Sequence, residues 1–141
     1  MKPHPPTRLS EKRAAKAPSL SIVIFAFHEE ENIHAVLGEL GTWLDAHEPD
    51  AEIVFVDDGS RDRTAEEAVK ALAHRTHVVL RHDINGGIGA ALKTGVRHAQ
   101  GTWITFLPAD GTKRSELGTQ EVLEVYSLAR RSIRQHLLNA G

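Results

Sequence analysis

Four short polar stretches carry the side chains with chemical capacity: FHEE (27–30), DDGS (57–60), HDINGG (82–87) and PADG (108–111). In DDGS, Asp57 and Asp58 leave an apolar, β-rich run. Successive side chains of an extended chain point to opposite faces, so the two diverge and one at most meets a given ligand. A carboxylate at that point can accept a hydrogen bond from the N–H edge of a nucleobase or from a ribose hydroxyl. It can equally close an acidic turn, with Gly59 permitting the turn and Ser60 or Asp62 capping the next helix. In PADG, Pro108 and Asp110 lie on one side of an extended chain, so Pro108 stands where a second metal-binding acid would stand. Asp110 alone still suffices for Mg²⁺, which keeps several waters and takes one or two carboxylates when phosphates complete its shell.

Two familiar phosphate-binding patterns fail here. Gly87 and Gly89 begin a dinucleotide fingerprint, but Leu92 stands where its third glycine belongs, and the loop does not follow the first strand. Lys93–Thr94 ends like a P-loop, yet Leu92 again replaces the required glycine. The nine histidines show no metal-ligand spacing, and His28 is the one expected at a ligand edge.

Positioning these stretches falls to a regular alternation of elements. LSIVIFAF, AEIVFV, HVVLR and TWITFL are short apolar runs, as expected of strands buried on both faces. Between them, Ile33, Val36, Leu37, Leu40 and Leu44 fall at helical spacing, with Glu29–Glu31 expected at that helix's positive end. AEEAVKALAH is the second helix, with Thr64 and Glu67 spaced as a capping box, and IGAALKTGVRHAQ the third. The alternation predicts a three-layer α/β/α fold around a mainly parallel sheet. Ligands of such sheets bind at the carboxyl ends of the strands, where all four polar stretches fall.

Composition sets the outer bounds. The 141 residues suffice for one domain, and 40% hydrophobic with 26% charged residues is ordinary globular material. A net charge of −2 gives no reason to expect nucleic acid as a partner. Without cysteine there is neither a disulfide framework nor a thiolate site, compatible with the cytoplasm. No apolar run approaches the ~20 residues of a membrane helix. Residues 1–19 hold four prolines and five Lys or Arg with few large apolar groups, and read as a flexible basic tail. A position at the membrane periphery is a companion expectation, because basic clusters are drawn to anionic lipid.

SIVIFAFHEEENI, EIVFVDDGSRDRTAE, NGGIGAALKTGVRHAQG and TWITFLPADG together resemble, in order and spacing, the family 2 glycosyltransferases, and among them the polyprenyl-phosphate hexosyltransferases. The resemblance implies a GT-A fold over about residues 20–112. It implies inverting transfer of a sugar from a nucleoside-diphosphate donor, with Mg²⁺ or Mn²⁺, to an acceptor such as a polyprenyl phosphate. It assigns Ala26, Phe27 and Glu29 to the loop near base and ribose, and Asp58, beside Asp57, to the base. It assigns Asn85, Gly87 and Gly89 to the loop beside the nucleotide, and Asp110 to the metal as the second acid of an Asp-x-Asp motif. Phe25, Phe27 and His28 stand where the family usually has proline, tyrosine and asparagine, and Ile88 replaces a common basic residue.

The family continues past this motif with strands that shape the acceptor site and supply the catalytic base. Here residues 113–141 read instead as a polar connection and a terminal amphipathic helix, with Val122, Val125, Tyr126, Ala129, Ile133 and Leu137 on one stripe. The catalytic residues are therefore unassigned, and the resemblance leads to the expectation of a truncated, donor-binding half. The fourth apolar strand becomes an edge, which the final helix, a second copy in a homodimer, or a separate C-terminal half would cover. The alternative function is a nucleotide-binding pseudoenzyme or assembly module without turnover.

Overall fold

The computed structural model describes residues 4–109, so the expected terminal helix, the polar connection and Asp110 lie outside the described residues. The elements run β1 (Thr7–Lys12), β2 (Leu20–Ala26), α1 (Ile33–His47), β3 (Glu52–Asp57), α2 (Thr64–Leu72), β4 (His77–Arg81), α3 (Ile88–His98) and β5 (Trp103–Pro108). They build one five-stranded sheet in the order β1-β4-β3-β2-β5. β2, β3, β4 and β5 are parallel, and β1 joins antiparallel to β4.

The central strands β2, β3 and β4 are largely apolar because both of their faces are covered. Leu20, Ile22, Ile24, Ile53 and Phe55 point into a core with Leu37, Leu40, Leu44 and Trp43 of α1 and Leu72 of α2. The alternate residues Val23, Val54, Val56, Val78 and Leu80 form a second core with Ala91 of α3. These are the three layers that the alternation predicts. α3 sits close to the sheet at Gly95, where a Cβ would come 2.3 Å from Val23 Cγ1.

The parallel register aligns the carboxyl ends. Ala26 pairs with Asp57, Asp57 with Arg81, and Phe25 with Pro108. One further rung extends the ladder, as Asp58, His82 and Ala109 donate backbone N–H to Ala26, Asp57 and Phe25 at 2.9–3.0 Å. The loops carrying the four polar stretches thus leave the sheet along one edge.

Residues 7–12 correct the expectation of a flexible tail over 1–19. They form β1, which covers the open edge of β4, with a register shift between Arg8 and Ser10. The anchors are polar and distant in sequence. Ser10 Oγ is 2.6 Å from His77 Nε2. Arg13 reaches the fully buried Glu52 with Nη1 and donates from Nη2 to the His98 carbonyl at 2.9 Å. Ser21 Oγ (2.6 Å) and Gln100 N (2.7 Å) complete the Glu52 carboxylate. Backbone pairing and one buried ion pair, more than apolar burial, order this segment, and composition does not reveal them.

Two local readings also change. α1 begins at Ile33 without an acid in its first turn, so Glu29–Glu31 belong to the preceding loop. Thr64 does not form a capping box with Glu67, because α2 starts at Thr64 and no side chain caps it through Arg63. Its hydroxyl serves the loops instead.

Candidate active site

The first and second loops are laced together by backbone-to-side-chain hydrogen bonds. His28 N donates to Ser60 Oγ (2.9 Å), Glu29 N to Thr64 Oγ1 (2.9 Å), Arg61 N to His28 Nε2 (3.1 Å) and Arg63 N to Glu30 Oε2 (3.2 Å). Asp62 Oδ1 accepts from Thr64 N and lies at the same hydroxyl, fixing the start of α2. The second and third loops touch at Gly59, which has φ +81° and would place a Cβ 2.6 Å from Asn85 N. Only glycine fits there.

The two aspartates diverge as strand geometry requires. Asp58 turns toward α3: Oδ1 accepts from Gly86 N (2.9 Å) and lies 2.7 Å from His82 Nδ1, while Oδ2 accepts from Gly87 N (2.9 Å). His82 Nε2 continues to Thr94 Oγ1 at 2.7 Å. A carboxylate therefore already sits at the N-terminus of α3, where two free amides would otherwise attract an anion. Three of its roughly four acceptor positions are used, one of them on Oδ2.

Asp57 turns to the opposite face and is fully buried. Neither oxygen has a well-formed hydrogen bond among the described residues, and Arg81 Nε stands 3.5 Å from Oδ2. Burial pushes this carboxyl up, with Ser60 and Arg81 pulling partly against it. Arg81 also donates to Glu66 at 2.7 Å, which holds Glu66 below the usual carboxylate range.

Where the loops meet, a cleft of about 320 Å³ opens, lined by Phe25, Ala26, Phe27, Glu29, Asp58, Asn85, Gly87, Ile88, Pro108 and Ala109. It gathers six of the predicted site residues: Ala26, Phe27, Glu29, Asp58, Asn85 and Gly87. Asp57 and Gly89 do not line it. Gly89 lies in the first turn of α3 with open space at its Cβ. Phe27 is half-exposed and its ring stacks on His28, centroids 3.8 Å apart.

Sequence reasoning gave His82 no role of its own within HDINGG, yet its side chain is largely buried behind Asp58. Its position next to the third loop was the available signal. Among the described residues no three His, Cys, Asp or Glu are grouped to hold a metal ion.

A mainly parallel α/β sheet with an open cleft at its carboxyl edge, the edge where ligands of such sheets bind, defines the class as an α/β protein. The model of glycosyl transferase family 2 matches residues 21–123, and the chain belongs to that family. It is 33% identical over 111 residues to the dolichyl-phosphate beta-glucosyltransferase ALG5A of Trichomonas vaginalis, covering 74% of this chain and 34% of that protein. It is 31% identical over 99 residues to the undecaprenyl-phosphate 4-deoxy-4-formamido-L-arabinose transferase of Salmonella choleraesuis, covering 69% and 30%. The chain thus spans about a third of the length of these relatives.

Solved structures share the GT-A architecture. The mannosyltransferase PcManGT from Pyrobaculum calidifontis, in complex with GDP-Man and Mn²⁺, superposes with a TM-score of 0.60 at 21% identity, over 72% of this chain and 31% of that one. S. aureus TarS 1-349 in complex with UDP gives 0.59 at 26% identity, over 65% and 27%. Among the described residues no helix is long and apolar enough to cross a membrane.

Proposed function

We propose that this chain is the donor-binding part of a glycosyltransferase, and that its cleft takes a nucleoside-diphosphate sugar together with Mg²⁺ or Mn²⁺. The observation that carries the reading is the convergence of Ala26, Phe27, Glu29, Asp58, Asn85 and Gly87 on one cleft inside the family-matched span. Phe27 offers a ring face to a base, and the remaining acceptor position of Asp58 suits a single N–H or hydroxyl donor. The names of the relatives support a polyprenyl phosphate as acceptor. In an inverting transfer an acceptor oxygen replaces the diphosphate at the anomeric carbon from the opposite face.

The described residues provide no three-residue metal cage, and this reading needs none. Asp110 follows the cleft-lining Ala109 in sequence and is the carboxylate that would hold the cation, which needs only one or two protein carboxylates when substrate phosphates complete its shell. When bound, the cation offsets the charge developing on the leaving nucleoside diphosphate. The chain's own residues bind and orient: Asp58 fixes the Gly86–Gly87 backbone beside the cleft, and the laced first and second loops fix Phe27 and Glu29.

Calorimetric titration with UDP and GDP, with and without Mn²⁺, tests the proposal. Saturable binding strengthened by Mn²⁺ is expected. No heat from either nucleotide at millimolar concentration would sink it.

A further inference from the structure

His28 is the one non-glycine residue with positive φ among the described residues, at 54°. A side chain in the left-handed region persists where its surroundings over-determine it. Three contacts do so here. The His28 amide donates to Ser60 Oγ, its Nε2 lies 3.1 Å from Arg61 N, and its ring lies on Phe27 at an interplanar angle of 28°. A backbone N–H can only donate, so Nε2 must present its lone pair. In this geometry the proton belongs on Nδ1 and the ring is neutral.

We propose that His28 is a positioning residue: as the neutral imidazole, tied to Arg61 N–H of the second loop, it holds the Phe27 ring against the cleft as the platform for a planar ligand ring. The ligand part of this rests on the nucleotide reading above. The tie between His28, Arg61 and Phe27 does not.

The tie is proton-sensitive by construction. A proton on Nε2 sets one donor against another and breaks the bond to Arg61. The charged groups facing His28 from the second loop are Arg61, Asp62 and Arg63, and Glu29 and Glu30 belong to its own loop. Glu29 is bonded to Asn32 and Glu30 to Arg63 N, so both are engaged. Asp62, which already accepts from Thr64 N, is the acid on the facing loop that an imidazolium would attract. Protonation therefore removes the tie to Arg61 N, and with it the anchor of the ring that backs Phe27.

The experiment uses the full chain labelled with ¹⁵N. The His28 tautomer, the Arg61 amide and the Phe27 ring are followed by NMR from about pH 8 to about pH 5, the interval in which imidazoles change charge. UDP and GDP with Mn²⁺ are titrated at both ends, in wild type and in His28→Asn, which tolerates positive φ but removes the ring. The expected result is an Nδ1–H tautomer at high pH, with the Arg61 and Phe27 signals moving as His28 titrates. Affinity should fall roughly 2- to 10-fold on acidification, the worth of one hydrogen bond. His28→Asn should bind as weakly at both pH values. An Nε2–H tautomer, or Phe27 signals that do not follow His28, would overturn the role of His28. If neither nucleotide binds at either pH, the nucleotide reading fails, and the NMR arm still decides the positioning.

Discussion

Arg13 provides the sharpest test of how the N-terminal segment is held. Its guanidinium is the cationic partner of Glu52, a carboxylate with no solvent exposure at the start of β3. Arg13→Ala leaves that charge buried with two neutral donors, Ser21 Oγ and Gln100 N. Removing one member of a buried pair costs about 3–5 kcal/mol, and the two remaining donors put this case near 3. The bond to the His98 carbonyl, at the end of α3, is lost as well. For a chain of this size, about 3 kcal/mol lowers Tm by roughly 10 °C. The mechanism is uncompensated charge, so neutralising Glu52 should restore much of the loss. Urea unfolding followed by circular dichroism should place Arg13→Ala/Glu52→Gln about 1–2 kcal/mol above Arg13→Ala. If Arg13→Ala stays within about 0.5 kcal/mol of wild type, the anchor is idle and β1 rests on backbone pairing alone. If the double variant is no better than the single one, buried charge is not what Arg13 relieves.

Three further outcomes follow from the same geometry. Asp57 is raised above its ordinary 3.8 chiefly by burial, so the native state binds more protons than the unfolded one just above that value, and stability falls as pH rises through the window. Asp57→Asn should therefore gain on wild type in Tm as pH goes from about 4 to 7, and parallel Tm–pH curves would contradict this. Asp58→Ala removes the acceptor of the Gly86 and Gly87 amides, and hydrogen exchange at both should accelerate roughly 10- to 100-fold; unchanged protection would mean that α3, not Asp58, holds the loop. Asp110→Ala should leave UDP or GDP binding without metal intact and erase the strengthening by Mn²⁺. A Mn²⁺ effect that survives would move the cation to other residues.

The parallel layers were legible because β2, β3 and β4 are apolar on both faces, and the helices show their buried stripes. The edge where the polar stretches gather was legible because parallel strands bring their carboxyl ends together, as Ala26, Asp57 and Arg81 do. What escaped was long-range and polar. Thr7–Lys12 has a polar composition and is ordered by pairing with β4, some 70 residues away, which no local pattern encodes. Thr64 looks like a cap from its spacing to Glu67, yet its hydroxyl meets the Glu29 amide from a different loop. His82 looks like any exposed histidine until the third loop folds it between Asp58 and Thr94.

Asp58 shows how the structure refines a residue that sequence alone selects. The resemblance assigns it to the base, and a free carboxylate would offer two oxygens for that task. In the fold those oxygens first satisfy Gly86, Gly87 and His82, so the side chain is rigid and mostly spent before a ligand arrives. One acceptor position is left, on Oδ2. A single acceptor distinguishes a ring that offers an N–H from one that does not, but it cannot grip two adjacent donors as a free carboxylate would. Discrimination between bases that each offer an N–H must then come from shape, and the side chains placed to supply it are Phe27 and Ile88, both exposed and both lining the cleft. If the cleft takes a nucleotide as proposed, base choice would rest on its apolar rim more than on its acid. Exchanging Ile88 for a smaller residue should change the ratio of UDP to GDP affinity more than it changes either melting temperature. A ratio that stays fixed while both affinities fall would return the discrimination to Asp58.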